Sequence, residues 1–164
     1  MSIEGNEGTG RFFHSTTASA AEAILATGFR DGEGRYGFPM WLRGVFLADQ
    51  PVDENFGAAS EALLEVRIPG RIDLSPYEVV ADGGDCREWC IPASLINECG
   101  EVRQVAKEED DELRFLLSLP KQWPDPCPAC GATLELVDSP QGFRDEVEIG
   151  ECPDCRFMSR RLKA

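Results

Sequence analysis

The sequence Cys127-Pro128-Ala129-Cys130-Gly131, together with the later Cys152-Pro153-Asp154-Cys155, decides the fold of the last part of the chain. In each pair two residues separate the cysteines, so one tight turn can direct both sulfur atoms at the same ion. Four thiolates form a closed tetrahedral zinc site, which predicts a structural metal rather than a catalytic one. Residues 132–137 and 146–149 alternate in polarity as the strands of a hairpin do. We therefore predict a module over residues 127–164 that Zn²⁺ stabilises.

The sequence is also consistent with two other states of these four cysteines, namely two disulfides or free thiols. The chain has seven cysteines, an odd number that fits a reducing compartment better than a disulfide framework. The Cys-Pro-x-Cys-Gly turn is typical of zinc knuckles, and the segment resembles the zinc ribbon family. The remaining thiols are either small buried side chains or part of a second metal site. They are Cys86, Cys90 and Cys99.

Proline marks the boundary before this module. Residues 120–126 contain Pro120, Pro124 and Pro126, which cannot continue a helix or a central strand, and we predict a linker there. A larger domain is predicted over residues 11–119. The polar, glycine-rich residues 1–10 are predicted to be a disordered leader. They do not have the charge and hydrophobicity of a signal peptide, and the sequence has no run of 18 apolar residues. We therefore expect a cytoplasmic protein that has no membrane span.

The charge of the chain limits its partners. With 30 acidic and 16 basic side chains the net charge is −14, which argues against general nucleic-acid binding because phosphate contacts need cations. The C-terminus is the exception, and its cationic residues form either a solvated tail or a docking segment. They are Arg156, Arg160, Arg161 and Lys163.

Short strands dominate the predicted larger domain. Alternating or apolar segments predict strands at 11–14, 44–48, 61–68, 88–91 and 101–105. In the third of these, Leu64, Val66 and Ile68 share one face, and Glu65 and Arg67 lie on the other. Many short strands with few helices predict an α+β fold.

Helices are predicted at two places. In the first, Ser19 and Glu22 have the spacing of a capping box, and Gly28 is suited to the left-handed conformation that ends a helix. Acidic residues in the first turn favour a second helix over 110–119. The glycine-rich residues 31–37 are predicted to be a loop.

His14 is the one histidine in the chain, and it ends the first predicted strand. A lone histidine is often a packed or surface residue, but its context here is informative. Residues 13–17 (Phe-His-Ser-Thr-Thr) precede a helix that ends in Gly28-Phe29. Residues 44–48 (Gly-Val-Phe-Leu-Ala), Asn55-Phe56 and residues 88–91 (Glu-Trp-Cys-Ile) follow in order.

This order resembles the poly-ADP-ribose-polymerase-like, diphtheria-toxin-type ADP-ribosyltransferases over residues 11–106. The resemblance implies a split antiparallel β-sheet and an enzyme that uses NAD as a substrate. It implies that His14 binds the adenosine ribose, and that Ser15, with Thr16 in the same segment, holds the nicotinamide carboxamide through its backbone. Phe46 and Phe56 stand at tyrosine positions of the family, where Phe56 would stack on nicotinamide.

The resemblance assigns the catalytic role to Glu88, which would bond the nicotinamide ribose. Cleavage of the nicotinamide–ribose bond passes through a state like an oxocarbenium ion, as in glycoside hydrolysis. A carboxylate beside the ribose stabilises that charge and can accept a proton from the incoming nucleophile. The alternative for Glu88 is a strand carboxylate paired with Arg87 or Arg103.

The chain departs from the family pattern at three positions. Ser15 replaces a glycine, which limits the approach of its backbone to a ligand. Phe46 and Phe56 lack the tyrosine hydroxyl but retain an aromatic face for stacking.

Three functions are consistent with the sequence. The first is transfer of ADP-ribose to an acceptor, for which a protein side chain, a nucleic acid, a small molecule and water are all consistent with the sequence. The others are a nucleotide-binding module without turnover and an adaptor that docks a partner through the ribbon.

Overall fold

A computed structural model of the chain describes residues 8–34, 41–52, 61–79, 86–119, 126–137 and 147–162. The chain divides into two compact units, residues 1–110 and 111–164. The fold is α+β with an antiparallel sheet in each unit, which confirms the predicted class. The predicted linker lies outside the described residues except for Pro126, and Phe56 also lies outside them.

The first unit contains a seven-stranded sheet in which the strand order is β5-β6-β3-β1-β4-β7, with β2 paired to β3. The strands are β1 (Thr9–Thr16), β2 (Gly32–Gly34), β3 (Leu42–Ala48), β4 (Ala62–Pro69), β5 (Glu78–Val79), β6 (Glu88–Ile91) and β7 (Glu101–Gln104).

The junction between β1 and β3 is narrow. All eight residues of β1 pair with β4, but β1 pairs with β3 at one position, where Phe13 faces Ala48. The sheet therefore consists of two groups of strands, β5-β6-β3 with β2 attached to β3, and β1-β4-β7. The two groups diverge on either side of the Phe13–Ala48 pair, and we call this place the split.

One face of the sheet forms the core of the first unit. Apolar side chains alternate onto it from four strands, as the period of two predicts for a half-buried sheet. Helices α1 (Ala18–Thr27) and α2 (Ala93–Cys99) contribute to the same core, and the third helix, α3, spans Lys107–Ser118. The main core residues are Phe12, Val45, Leu47, Leu64, Val66, Ile68, Trp89, Ile91, Ala21, Phe29 and Ile96.

The N-terminus of α1 differs from the prediction. Thr17 is the N-cap, and its hydroxyl accepts a hydrogen bond from the Ala20 amide at 3.2 Å. The predicted capping box of Ser19 and Glu22 is wrong, because both residues already lie inside the helix and a cap must precede the first helical residue. Helix α1 ends at Gly28 as predicted, and the Gly28 amide donates to the Ile24 carbonyl. Its φ of 88° and ψ of 172° differ from the predicted left-handed helical conformation, but this backbone region is also one that glycine adopts.

Several element boundaries also shift. Strand β1 begins at Thr9, so Thr9 and Gly10, which pair with Pro69 and Ile68, belong to the sheet and not to the predicted leader. The short strand β2 lies within the stretch predicted to be a loop. Helix α2 was not predicted, because its seven residues are too few to give a clear helical period.

Glu65 is a buried charged residue on the second face of the sheet. The alternation of β4 places it opposite the core face as expected, but its side chain is 0% exposed. Its carboxylate contacts Arg11, Arg67 and Arg103, which lie on β1, β4 and β7. The three guanidinium groups offset the buried negative charge and tie three neighbouring strands together.

The second unit has a three-stranded sheet in the order β10-β9-β8. Strands β8 (Glu135–Val137) and β9 (Val147–Glu151) correspond to the predicted hairpin, and β10 (Met158–Leu162) was not predicted. Two cysteines, Cys127 and Cys152, and Leu134 form its buried cluster, with Phe157 packed against them. No helix in the described part of the chain is long and apolar enough to cross a membrane.

Candidate functional site

The four cysteines of the second unit converge. Their sulfur atoms all lie within 4.8 Å of one another. The Sγ atoms of Cys127 and Cys155 are 3.6 Å apart, and those of Cys130 and Cys152 are 3.3 Å apart. A disulfide requires about 2.05 Å, whereas thiolates about 2.3 Å from a shared tetrahedral ion are roughly 3.8 Å apart. The residues are therefore positioned to hold a metal ion, and the disulfide alternative does not fit these distances.

The two turns that carry these thiols have the same backbone arrangement. The Gly131 amide donates to the Cys127 carbonyl at 2.8 Å, and the Arg156 amide donates to the Cys152 carbonyl at 3.0 Å. Both Gly131 and Arg156 have positive φ, 82° and 66° respectively. Glycine adopts this conformation without strain and arginine does not, so the second turn is the more strained of the two.

Backbone amides of the turns point at the sulfur atoms. Hydrogen bonds from the amides of Cys155 and Asp154 lower the pKa of Cys152 to about 7. The Ala132 amide bonds Cys130 in the same way, although the neighbouring thiols raise the pKa of Cys130. Amides in this position stabilise the thiolate form, which is the form that binds a metal.

The arginines near the C-terminus are engaged within the second unit. Arg156 pairs with Glu151 at 2.6 Å, and Arg161 pairs with Glu148 at 2.8 Å. The Nε of Arg160 donates to the Leu119 carbonyl at 3.2 Å. Arg156 and Arg161 nevertheless have side chains that are 80% and 46% exposed, so the solvated tail and the docking segment both stay predictions.

His14 lies at the split in the first unit. Its Nδ1 is 2.8 Å from the Phe46 carbonyl oxygen, and its ring meets the Phe29 ring edge-on at a centroid distance of 5.3 Å. A carbonyl only accepts, so Nδ1 carries the proton and donates. Burial lowers the pKa of His14 although the bond to Phe46 raises it, so the ring is neutral at neutral pH. In this tautomer Nε2 is a hydrogen-bond acceptor.

Ser15 and Phe46 lie on the second face of the sheet. Phe13 on β1 pairs with Ala48 on β3. Ser15 and Phe46 each lie two residues from a member of this pair, so their side chains are on the same face as the pair. Ser15 is buried, and its Oγ donates to the Val52 carbonyl at 2.8 Å. Phe46 is partly buried and faces Cys90 on β6, whereas Thr16 lies on the core face with His14.

Glu88 begins β6 and pairs with Ala48 on β3, so it shares the face of Phe46 as a diagonal neighbour about 7–8 Å away. Its side chain is partly buried. Burial raises the pKa of Glu88, and the charge of Asp49 raises it further. Its two proposed partners bind elsewhere, since Arg87 pairs with Glu78 and Arg103 pairs with Glu65 and Glu109. Within the described ranges no hydrogen bond or ion pair of the Glu88 carboxylate is present.

The structure brings Ser15, Phe46 and Glu88 to one face of the sheet, next to the split. It places the side chains of His14 and Thr16 on the other face, and the His14 ring is joined to the group through the Phe46 carbonyl. Phe56 cannot be placed, because it lies outside the described residues. Sequence reasoning missed Asp49, whose proximity to Glu88 arises from strand pairing and has no local sequence signal.

Comparison with known proteins provides no relative for this chain, because no family model, no curated protein and no solved structure matches it.

Proposed function

We propose that the first unit transfers ADP-ribose from NAD to an acceptor, and that the second unit holds a structural Zn²⁺ in a zinc ribbon. The observation that carries the first part is Glu88, a partly buried carboxylate with a raised pKa and with no ion pair among the described residues. A carboxylate in this state costs stability, and such groups concentrate at functional sites.

The geometry at the split supports a role for His14 in binding. Because Nδ1 donates to the Phe46 carbonyl, Nε2 is left as an acceptor, and a ribose hydroxyl is a suitable donor. A ligand that contacts both His14 and Glu88 must lie across the split, since the two side chains leave opposite faces of the sheet. The narrow junction between β1 and β3 supports the split antiparallel sheet that the sequence resemblance implies.

Glu88 would act in two ways in this reaction. As the nicotinamide–ribose bond breaks, the carboxylate stabilises the positive charge that develops on the ribose. It then accepts a proton from the acceptor nucleophile as this forms the new bond to the ribose. The aromatic side chains of Phe46 and Phe56 would contact the nicotinamide ring, with the backbone of Ser15 and Thr16 nearby.

The four-cysteine cluster supports the second part of the proposal. A site with four thiolates and no open position suits a structural Zn²⁺, and the amides aimed at the sulfur atoms favour the deprotonated ligands. The metal would hold together a unit whose own apolar cluster is small.

The test is release of nicotinamide from NAD, followed by chromatography, and detection of modified products by mass spectrometry. We expect Glu88→Gln to lower the rate by about 100-fold or more, because glutamine cannot accept the proton. The control is Glu101→Gln, which changes an exposed strand carboxylate and should leave the rate unchanged.

A second measurement separates binding from turnover. His14→Ala should weaken NAD binding measured by calorimetry, and unchanged affinity would remove His14 from the site. If wild-type protein binds NAD but releases no nicotinamide with any acceptor mixture, the first unit is a binding module and the transferase proposal is wrong.

A further inference from the structure

Asp49 is fastened to the residue that precedes Glu88. Its Oδ1 accepts a hydrogen bond from the Arg87 amide at 3.1 Å, and its own amide donates to the Arg87 carbonyl at 3.1 Å. Ala48 already pairs with Glu88, so these two bonds extend the contact between β3 and β6 by one residue. The backbone from which the Glu88 side chain projects is therefore held by Asp49.

We propose that Asp49 is a positioning residue for Glu88. Asp49 acts through its hydrogen bonds to the backbone of Arg87 and through its own negative charge. An effect of Asp49 on the rate of transfer rests on the proposed function. The effect of the Asp49 charge on the pKa of Glu88 does not depend on it.

The surroundings of Glu88 explain why the charge of Asp49 is effective. The strand neighbours of Glu88 are Ala48 on β3 and Val79 on β5, and neither is charged. The cation next to Glu88 in sequence, Arg87, donates two hydrogen bonds of 2.8 Å to Glu78, which offsets its charge there.

The other titratable groups nearby are neutral at neutral pH. Cys90 lies two residues along β6 on the same face, and burial raises the pKa of its thiol. His14 on β1 is neutral because burial lowers the pKa of its ring. Within the part of the chain that the structure describes, burial and the charge of Asp49 are the two causes that raise the pKa of Glu88. A carboxylate with a raised pKa is a stronger base, and this suits the removal of a proton from the acceptor.

Two substitutions separate the charge from the hydrogen bond. Asp49→Asn removes the charge but keeps an oxygen that can accept from the Arg87 amide, whereas Asp49→Ala removes both. The Glu88 carboxyl signal can be followed by carbon NMR across a pH titration and assigned from its loss in Glu88→Gln. We expect Asp49→Asn to lower the pKa of Glu88, and Glu101→Gln to leave it unchanged. A Glu88 titration that is the same in Asp49→Asn and in wild type would overturn the role of the charge.

Hydrogen exchange tests the role of the backbone. We expect the Arg87 amide to exchange roughly five- to tenfold faster in Asp49→Ala than in Asp49→Asn, as the loss of one hydrogen bond predicts. Equal exchange in the two variants would overturn this role.

The kinetic readout links the inference to the proposed function. In Asp49→Asn the acidic limb of the pH profile for nicotinamide release should move to lower pH together with the pKa of Glu88. If the NMR shift is observed and no variant releases nicotinamide, the positioning role of Asp49 stands and the transferase proposal fails.

Discussion

Replacement of Glu65 by glutamine tests the ion-pair cluster that joins β1, β4 and β7. The Oε1 atom of Glu65 accepts from Arg11 Nε at 2.7 Å and from Arg67 Nε at 2.9 Å, and Oε2 contacts Arg103. Glutamine has nearly the same shape and retains one oxygen. It removes the charge and directs an amide group, which is a donor, towards a guanidinium that also only donates.

The magnitude follows from the exposure of the three arginines. A hydrogen bond to a charged group contributes about 1.5–3 kcal/mol. The Arg11 side chain is 21% exposed, so the variant loses most of the stability that its hydrogen bond contributes. The side chains of Arg67 and Arg103 are 54% and 46% exposed, so water can replace much of what their contacts with Glu65 contribute. We expect the variant to lose about 3 kcal/mol of the free energy of unfolding, out of a total of about 5–15 kcal/mol for a domain. This loss lowers Tm by about 10–20 °C.

Urea unfolding followed by tryptophan fluorescence measures the change, with Glu101→Gln as the control. The sign of the pH dependence provides a second check. Burial raises the pKa of Glu65, but hydrogen bonds from Arg67 and Arg11 and the charges of Arg11 and Arg103 outweigh it, so the pKa lies below its ordinary value of 4.5. The stabilisation is therefore present above this pH and is lost as the pH falls through the lowered pKa.

Two results would refute this reasoning. One is a loss below 1 kcal/mol at neutral pH, which would mean that the buried carboxylate is not held by the arginines. The other is a difference between wild type and variant that grows as the pH falls below 4.5, because protonation of Glu65 must diminish it.

Three further predictions concern the capping of α1 and the metal module. Thr17→Ala should destabilise the first unit by about 1 kcal/mol and Ser19→Ala by less than about 0.5 kcal/mol. If thermal unfolding shows the larger loss for Ser19→Ala, Ser19 and not Thr17 is the N-cap. Gly131→Ala should lower the free energy of unfolding of the second unit by about 1 kcal/mol. The loss comes from the positive φ alone, because an added Cβ meets no atom within 4 Å. An unchanged midpoint of urea unfolding would contradict this. Metal analysis should find about one zinc per chain in the wild type and a large loss in Cys152→Ser, and a second unit that keeps its backbone NMR spectrum after chelation would exclude a structural metal.

The sequence specified the features that depend on neighbouring residues. The Cys-x-x-Cys pairs imposed their turns locally, so the convergence of the four thiols followed from their spacing. The alternation of Leu64, Val66 and Ile68 identified the buried face of β4, and Gly28 ended α1 through a conformation that glycine adopts readily. The residues proposed for the NAD site were selected by a resemblance, and their role stays a prediction.

Tertiary structure decided the features that depend on pairing between distant segments. The burial of Glu65 could not be predicted from β4, because nothing in β4 reveals the two arginines that β1 and β7 bring to it. The pairing of β3 with β6 brought Asp49 beside Glu88, and the divergence of β1 from β3 placed the His14 ring on the Phe46 carbonyl. Local spacing fixes turns, caps and the face of a strand, whereas the environment of a charge is set by the strands packed beside it, and their order is not encoded in any one segment.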